Sequence, residues 1–236
     1  MSFDTSQIRF CRNKSFRRQC VDAFLRDTVS QISNIEKKVV LDLGGTRTAR
    51  RGLFDPTKYP WALVCANIQQ KRAVDIVMDA HNFCFNENSF DIVLFTEVIE
   101  HLRSPETVLQ DIYKAIKPGG KLILTAPFFY HIHGDPDDYG RYTSSGLRAF
   151  LISAGFDEEN IEICPQGGYA SSLLYLISKG LNHQASKGTF LKSRVAGLFS
   201  TLLERIQIDI VKLDAQANKT NLRGFPNGYG VVAKKI

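Results

Sequence analysis

The segment Val39–Gly45 constrains the fold of this chain more than any other. Its sequence, VVLDLGG, is a continuous apolar run that ends in an acidic residue and two adjacent glycines. A continuous run, unlike an alternating one, predicts a parallel β-strand that is covered on both faces. The glycines predict a tight turn that a ligand can approach closely, because they have no β-carbon. Since ligands of open α/β sheets bind beyond the carboxyl ends of the strands, we expect a binding site at this turn.

The spacing of the glycines distinguishes two classes of ligand. A dinucleotide site requires G-x-G-x-x-G, but the turn continues as Thr46-Arg47-Thr48, so the second and third glycines are missing. The turn resembles instead the first motif of class I methyltransferases that use S-adenosylmethionine (SAM), which is a strand followed by D-x-G-x-G-x-G. Asp42 and Gly44 match this motif, whereas Thr46 and Thr48 replace its later glycines. The resemblance implies SAM as cofactor and a Rossmann-like α/β fold, with a mostly parallel sheet and an antiparallel last strand.

Three later segments are similar to further motifs of this family. The predicted strand Trp61–Ala66 is followed by Asn67, where the family usually has an acid that binds the ribose hydroxyls. Asp79 follows the predicted strand Val74–Met78 at the position of the adenine-binding acid, and residues 88–102 are similar to the fourth motif. The resemblance implies these cofactor-binding residues: Asp42, Gly44, Gly45, Asn67, Asp79, Ala80 and Glu97.

Capping and periodicity signals predict three helices. Apolar residues at helical spacing in Phe16–Ile32 favour a helix on the sheet edge or over the cofactor mouth, with membrane attachment as the alternative. Ser104-Pro105 predicts the start of a second helix, which the run Pro118-Gly119-Gly120 ends before the strand Lys121–Ala126. Thr143 and Gly155 bracket a third helix.

The length of 236 residues is enough for one substantial core, so we expect a single methyltransferase domain over residues 1–236. It would include an N-terminal helical segment, residues 1–35, and a helical insertion or lid, residues 168–227, before a last strand at Tyr229–Ala233. Neither of the helical patterns Tyr169–Lys179 and Phe190–Leu213 contains the ~20 unbroken apolar residues that a membrane span requires. They favour a lid or a homodimer surface, with peripheral contact to the inner membrane as the alternative. Scattered cysteines and the lack of a leader pattern predict a cytoplasmic protein.

The segment Pro127–Thr143 concentrates the side chains suited to acceptor chemistry. It resembles loops of methyltransferases from bacterial surface-polysaccharide pathways, in which H-G-D-P-x-D-Y-x-R recurs before an aromatic residue and threonine. This resemblance implies O-methylation of a sugar hydroxyl in a glycan or glycan precursor, including lipid- or nucleotide-linked ones. The reaction needs a positioned hydroxyl and removal of its proton. We therefore predict His133, His131 and Asp135 as catalytic residues. The predicted substrate-binding residues are Asp138, Tyr139, Arg141 and Tyr142.

Methyl transfer from a sulfonium needs no Lewis acid, so we expect no metal requirement. A metal site at His131, His133 and Asp135 is the alternative, because two histidines at i and i+2 share a face of an extended segment.

Two other functions remain open at this point. The net charge of +6 suggests an anionic partner, and a nucleic-acid or other small-molecule methyltransferase is therefore one alternative. Against nucleic acid, Thr125–Phe128 is not the Asn-Pro-Pro-Tyr pattern associated with methylation of base amino groups, and no Pro-Cys nucleophile is present. The second alternative is a SAM-binding or scaffold protein without turnover, which the substitutions Thr46, Thr48 and Asn67 would favour.

Overall fold

The computed structural model describes residues 15–32, 37–48, 52–70, 73–187, 198, 202, 206 and 224–236. The strands are β1 (Val39–Leu43), β2 (Ala62–Asn67), β3 (Ile76–Val77), β4 (Phe90–Thr96), β5 (Ile116–Pro127), β6 (Ile161–Gln166) and β7 (Gly228–Lys234). The helices are α1 (Phe16–Ser30), α2 (Pro105–Ala115), α3 (Ser144–Ala154) and α4 (Tyr169–Lys187). Residues 1–14 and 33–36 of the predicted N-terminal segment, and most of the pattern Phe190–Leu213, lie outside the described residues.

The seven strands form one sheet in the order β3-β2-β1-β4-β5-β7-β6. Neighbouring strands from β3 to β5 are parallel, whereas β7 runs antiparallel to both β5 and β6. The predicted α/β fold, mostly parallel with an antiparallel last strand, is confirmed. Because β1 and β4 are adjacent and parallel, the segments that follow them meet at the same edge of the sheet.

Side chains of the central strands alternate between two buried layers. Val40 of β1 and Leu94 of β4 face α1, whose Phe24 and Val29 pack in the same cluster. Leu41 and the other alternate residues face α2 and α3. The apolar side of α1 is therefore buried against a face of the sheet, which agrees with the packed helix expected from the sequence and not with membrane attachment.

Several predicted boundaries differ from the structure. Helix α2 ends at Ala115, before the run Pro118-Gly119-Gly120 that was predicted to end it, and the strand predicted at Lys121–Ala126 begins already at Ile116. Ser104 is the N-cap of α2 by position, but its side chain makes no capping hydrogen bond. The described residues between β2 and β3 contain no helix. Thr143 and Gly155 cap α3 as predicted, with the Thr143 hydroxyl accepting from the Gly146 amide.

Among the described residues, no helix is both long and apolar enough to cross a membrane.

Candidate active site

A cleft of about 980 Å³ opens at the carboxyl edge of the sheet. Its walls come from the turn after β1, the end of β2, the turn after β3, the segment after β4, helix α1 and the loop after β5. The cleft is thus where the strand order and the glycine turn predict a ligand site. Of the predicted residues, these line it: Asp42, Gly44, Gly45, Asn67, Asp79, Ala80, Glu97, His133 and Tyr139.

Neighbouring side chains leave no room for a β-carbon at either glycine of the turn. Gly44 has φ +87°, and a β-carbon there would overlap Val98. A β-carbon on Gly45 would overlap the carboxylate of Asp42, which is buried beneath the turn. Larger residues at either position would therefore disturb the fold itself, and a Gly44→Val variant is not a clean test of ligand contact.

Asn67 holds the glycine turn in place. Its Nδ2 donates to the carbonyl oxygens of Gly44 and Gly45, at 2.6 and 3.1 Å, and its Oδ1 accepts from the Gln69 amide at 3.0 Å. The side chain is 8% exposed. A carboxylate could not make the two donated bonds, because it has no hydrogen to donate when ionised. The glycine turn therefore requires the amide of Asn67, and the residue also lines the cleft.

Asp79 caps the short 3-10 turn that contains Ala80. Its Oδ1 accepts from the backbone amide of His81 at 3.0 Å and lies 2.9 Å from His81 Nδ1. These hydrogen bonds, chiefly that from the backbone amide, lower the pKa of Asp79. The side chain is still 41% exposed and faces the cleft, so capping and ligand contact are compatible at this residue.

Glu97 forms a buried ion pair with a residue from the start of α1. Arg17 Nε and Nη2 donate to the two carboxylate oxygens at 3.1 and 2.5 Å, and the Thr125 hydroxyl donates to Oε1 at 3.0 Å. Arg17 Nη1 also donates to Gln166 Oε1. Burial favours a higher pKa for Glu97, but the charge and hydrogen bonds of Arg17 outweigh it and lower the pKa. Glu97 thus lines the cleft as an ionised group that joins α1 to β4 and β5.

An ion pair inside the loop after β5 positions His133. Asp138 accepts from Arg141 Nη1 at 2.5 Å and from Nη2 at 2.8 Å, and its side chain is only 1% exposed. The hydrogen bonds from Arg141 are the main reason that the pKa of Asp138 lies well below its usual range. Asp138 Oδ2 also accepts from the His133 amide at 2.9 Å and lies 3.3 Å from His133 Nδ1. Asp138 and Arg141, which the sequence predicts to bind substrate, pair with each other and support the loop from within.

Two residues from the segment after β4 complete a cluster with His133. Glu100 Oε1 lies 3.9 Å from both His101 Nε2 and His133 Nε2. The loop is held there by its backbone, because the amides of Tyr139 and Gly140 donate to the Glu100 carbonyl at 2.7 and 3.2 Å. Burial, followed by the charge of Glu97, raises the pKa of Glu100 to about 8.

The remaining predicted residues separate into two groups. Tyr139 lies in the cleft wall, where its hydroxyl accepts from Arg103 Nε and donates to Asp137 Oδ1, each at 2.8 Å. His131, Asp135 and Tyr142 are not among the residues that line the cleft.

Each of these three has a different surrounding. His131 pairs with the Tyr175 hydroxyl and packs on Tyr130, Tyr142 packs on Phe150, and Asp135 is exposed on the loop. The His131 ring lies 6.0 Å from the His133 ring, so these two predicted catalytic residues are neighbours, but of the three predicted catalytic residues only His133 lines the cleft.

Sequence reasoning missed the roles of Arg17, Glu100, His101 and Arg103. Glu100 and His101 belong to the segment 88–102 that carries the family resemblance, so their position was a usable signal. Arg17 was one of several basic residues near the amino end of the sequence, and nothing in its local pattern pointed to Glu97.

The comparison with family models supports the interpretation of this cleft. Residues 53–124 match the methyltransferase domain family. A stretch of 49 residues is 43% identical to phosphoethanolamine N-methyltransferase 2 of Caenorhabditis elegans, and this match spans 21% of the chain but only 11% of that protein. The residues 53–124 that match the methyltransferase domain family contain β2, β3, β4 and α2.

Solved structures share the fold with low sequence identity. One is phosphoethanolamine N-methyltransferase 2 of Haemonchus contortus in complex with SAM, with a TM-score of 0.52 and 18% identity over 92% of this chain and 52% of that chain. Another is the cyclase SpnF, with a TM-score of 0.54 and 17% identity over 90% of this chain and 81% of that chain. The family match supports the predicted methyltransferase, whereas the solved structures show the fold alone, and the cyclase shows that this fold also serves other reactions.

Proposed function

We propose that this chain binds SAM in the cleft and transfers the methyl group to a sugar hydroxyl of a glycan or glycan precursor. The observation that carries the proposal is that one cleft is lined both by the glycine turn with Asp79 and by His101 with His133. A methyltransferase needs these two functions in one cavity, because the sulfonium and the acceptor must meet at bonding distance.

The cofactor side of the cleft offers the contacts that an adenosyl group requires. Asp79 presents an ionised carboxylate that can accept from an exocyclic amine. Ile68 follows Asn67 and is 64% exposed in the cleft wall, where a purine ring would cover its apolar surface. The glycine turn leaves its backbone accessible next to both residues.

The acceptor side supports hydroxyl chemistry. Tyr139 and Arg103 form a polar and aromatic wall beside His133. Burial is the main reason that the pKa of His133 lies below its usual value, so its imidazole is neutral and has a lone pair at neutral pH. His133 and Tyr139 lie in the loop after β5, which is the segment that resembles surface-polysaccharide methyltransferases. This resemblance favours a sugar over an amine as the acceptor.

The cofactor assignment can be tested without disturbing the turn. Replacing Ile68 by glutamate should weaken SAM binding about 10- to 100-fold, because an isoleucine side chain contributes roughly 1.5–3 kcal/mol when it is buried. Ile152→Glu is the matched control, since Ile152 is 43% exposed on α3 and does not line the cleft. Calorimetric titration with SAM measures both. Equal affinity in both variants, or no SAM binding by the parent, would refute the cofactor site.

The acceptor assignment requires a panel of methyl acceptors. Free sugars, nucleotide sugars, phosphoethanolamine and RNA would each be incubated with the protein and SAM carrying a labelled methyl group. We expect transfer to a sugar or nucleotide sugar only, and a loss of about 10²- to 10⁴-fold in His133→Gln with SAM affinity retained. His131→Gln should lose far less, because His131 lies outside the cleft. Transfer to phosphoethanolamine or RNA alone would contradict the sugar acceptor.

A further inference from the structure

We propose that Glu100, His101 and His133 bind a divalent transition-metal ion, such as Zn²⁺ or Mn²⁺. Their donor atoms all lie within 4.8 Å of one another. The site was not apparent from the sequence, because Glu100 and His101 follow β4 whereas His133 follows β5. It shares only His133 with the metal set His131, His133 and Asp135 that the sequence had suggested.

The first observation is the unpartnered carboxylate of Glu100. The residue is 0% exposed, and neither Oε1 nor Oε2 has a hydrogen-bond partner among the described residues. Burying a polar group without a partner is costly, and the two imidazole nitrogens at 3.9 Å are too far away to compensate as hydrogen-bond partners. A cation held between the three groups would satisfy the carboxylate.

The second observation is the tautomer of each histidine. His101 Nδ1 lies 2.5 Å from the Asp137 carbonyl oxygen, which can only accept, so Nδ1 carries the proton. His133 Nδ1 lies 3.3 Å from Asp138 Oδ2, an ionised oxygen that Arg141 also holds, so its proton is on Nδ1 as well. In the neutral form of each ring, Nε2 is then the nitrogen with the lone pair, and both Nε2 atoms lie 3.9 Å from Glu100 Oε1. Histidine ligands of metals are commonly oriented in this way by a carbonyl or a carboxylate.

The ligand types and distances select the class of ion. Two imidazoles and one carboxylate suit zinc and its neighbours better than Mg²⁺ or Ca²⁺, which prefer oxygen ligands. Ligand bonds of about 2.0–2.2 Å require donors about 3–3.5 Å apart. The two distances of 3.9 Å from Glu100 to the histidines would therefore shorten by about 0.4–0.9 Å, and the three donor atoms, which lie within 4.8 Å of one another, would all move closer when an ion binds. His101 and His133 line the cleft, so the remaining coordination positions face it.

The ion would also define how the acceptor is activated, a role that rests on the proposed function. A hydroxyl bound to the ion loses its proton more easily, and the proton passes to water in the open cleft. The oxygen then forms a bond to the methyl carbon while the bond from that carbon to sulfur breaks, which leaves S-adenosylhomocysteine as a neutral thioether. In this scheme the lone pair of His133 binds the ion, so His133 acts as a ligand and not as the base, and Asp138 is a positioning residue that orients His133.

Metal binding is tested directly on the whole chain. Protein dialysed against a chelator would be titrated with Zn²⁺, Mn²⁺ and Co²⁺ by calorimetry, with the visible spectrum of Co²⁺ reporting nitrogen ligands. We expect one ion per chain, at least 100-fold weaker binding in Glu100→Gln and His101→Gln, and about 10- to 100-fold weaker binding in Asp138→Asn. His131→Gln, outside the cleft, is the control that keeps parental binding.

Two results would overturn the site: no binding of any of the three ions, or binding that Glu100→Gln leaves unchanged. Because a bound ion raises the melting temperature of the parent, the shift that Zn²⁺ causes is a second readout if a variant folds poorly. SAM affinity is measured in the same samples. Metal binding without SAM binding refutes the proposed function and retains the site, whereas full methyl transfer by metal-free protein refutes the role of the ion.

Discussion

Replacing Asn67 by aspartate separates two explanations of one residue. If Asn67 stands in for a ribose-binding acid, the aspartate should bind SAM more tightly and leave the fold intact. If Asn67 holds the glycine turn, as its bonds to the carbonyls of Gly44 and Gly45 indicate, the aspartate should destabilise the protein. An ionised oxygen would then face two carbonyl oxygens at the positions that Nδ2 now occupies.

The magnitude follows from the lost contacts. Asn67→Ala removes the two hydrogen bonds that Nδ2 donates to the turn, and each contributes about 0.5–1.5 kcal/mol, so we expect a loss of roughly 1–3 kcal/mol. Since about 1 kcal/mol shifts the melting temperature of a domain of this size by about 2–4 °C, the melting temperature should fall by roughly 2–12 °C. Asn67→Asp should lose at least as much at pH 7.5, because it also places a charge at a site that is 8% exposed in the parent.

The pH dependence provides a second check. Burial would raise the pKa of an aspartate at this position above its value of about 3.9 in the unfolded chain. The folded state would then hold its proton more tightly, so the deficit grows as the pH rises above that value and levels off above the folded pKa. Thermal unfolding of Asn67→Asp and Asn67→Ala at pH 5 and pH 8, with SAM titrations, tests this. Parental stability together with tighter SAM binding in Asn67→Asp would refute the structural explanation.

Two further predictions concern the elements around the cleft. Thr143→Ala should cost about 0.5–2 kcal/mol in urea unfolding, because its hydroxyl caps α3, whereas Ser104→Ala should stay within about 0.5 kcal/mol, because its side chain caps nothing. Equal losses would contradict the cap assignment. Arg17→Met should cost about 3–5 kcal/mol, because it leaves Glu97 buried and ionised without its partner, and adding Glu97→Gln should restore part of the loss. Unchanged stability of Arg17→Met would show that the pair is not structurally important.

The sequence alone determined most of the sheet and the edge at which the ligand site lies. Apolar runs predicted the strands, and the acid with two glycines located the turn, because burial on both faces and a tight turn each leave a signal in neighbouring residues. The cap of α3 was predictable for the same reason, since Thr143 and Gly146 are close in the chain. The predicted end of α2 at Pro118-Gly119-Gly120 was a few residues late, because Ile116 already pairs with Phe90 of β4 and the run lies in a bulge before pairing resumes at Lys121.

Only the tertiary structure decided which polar residues act together. Asn67 reaches back to the turn after β1, and Arg17 crosses from α1 to Glu97, so their partners depend on how distant segments pack. The cluster of Glu100, His101 and His133 forms because β4 and β5 are adjacent and parallel, which brings the segments after them to one place. The residue type fixes the chemistry of a side chain, but its hydrogen-bond partners, burial and protonation depend on its neighbours in space. Those neighbours come together only once the sheet has formed.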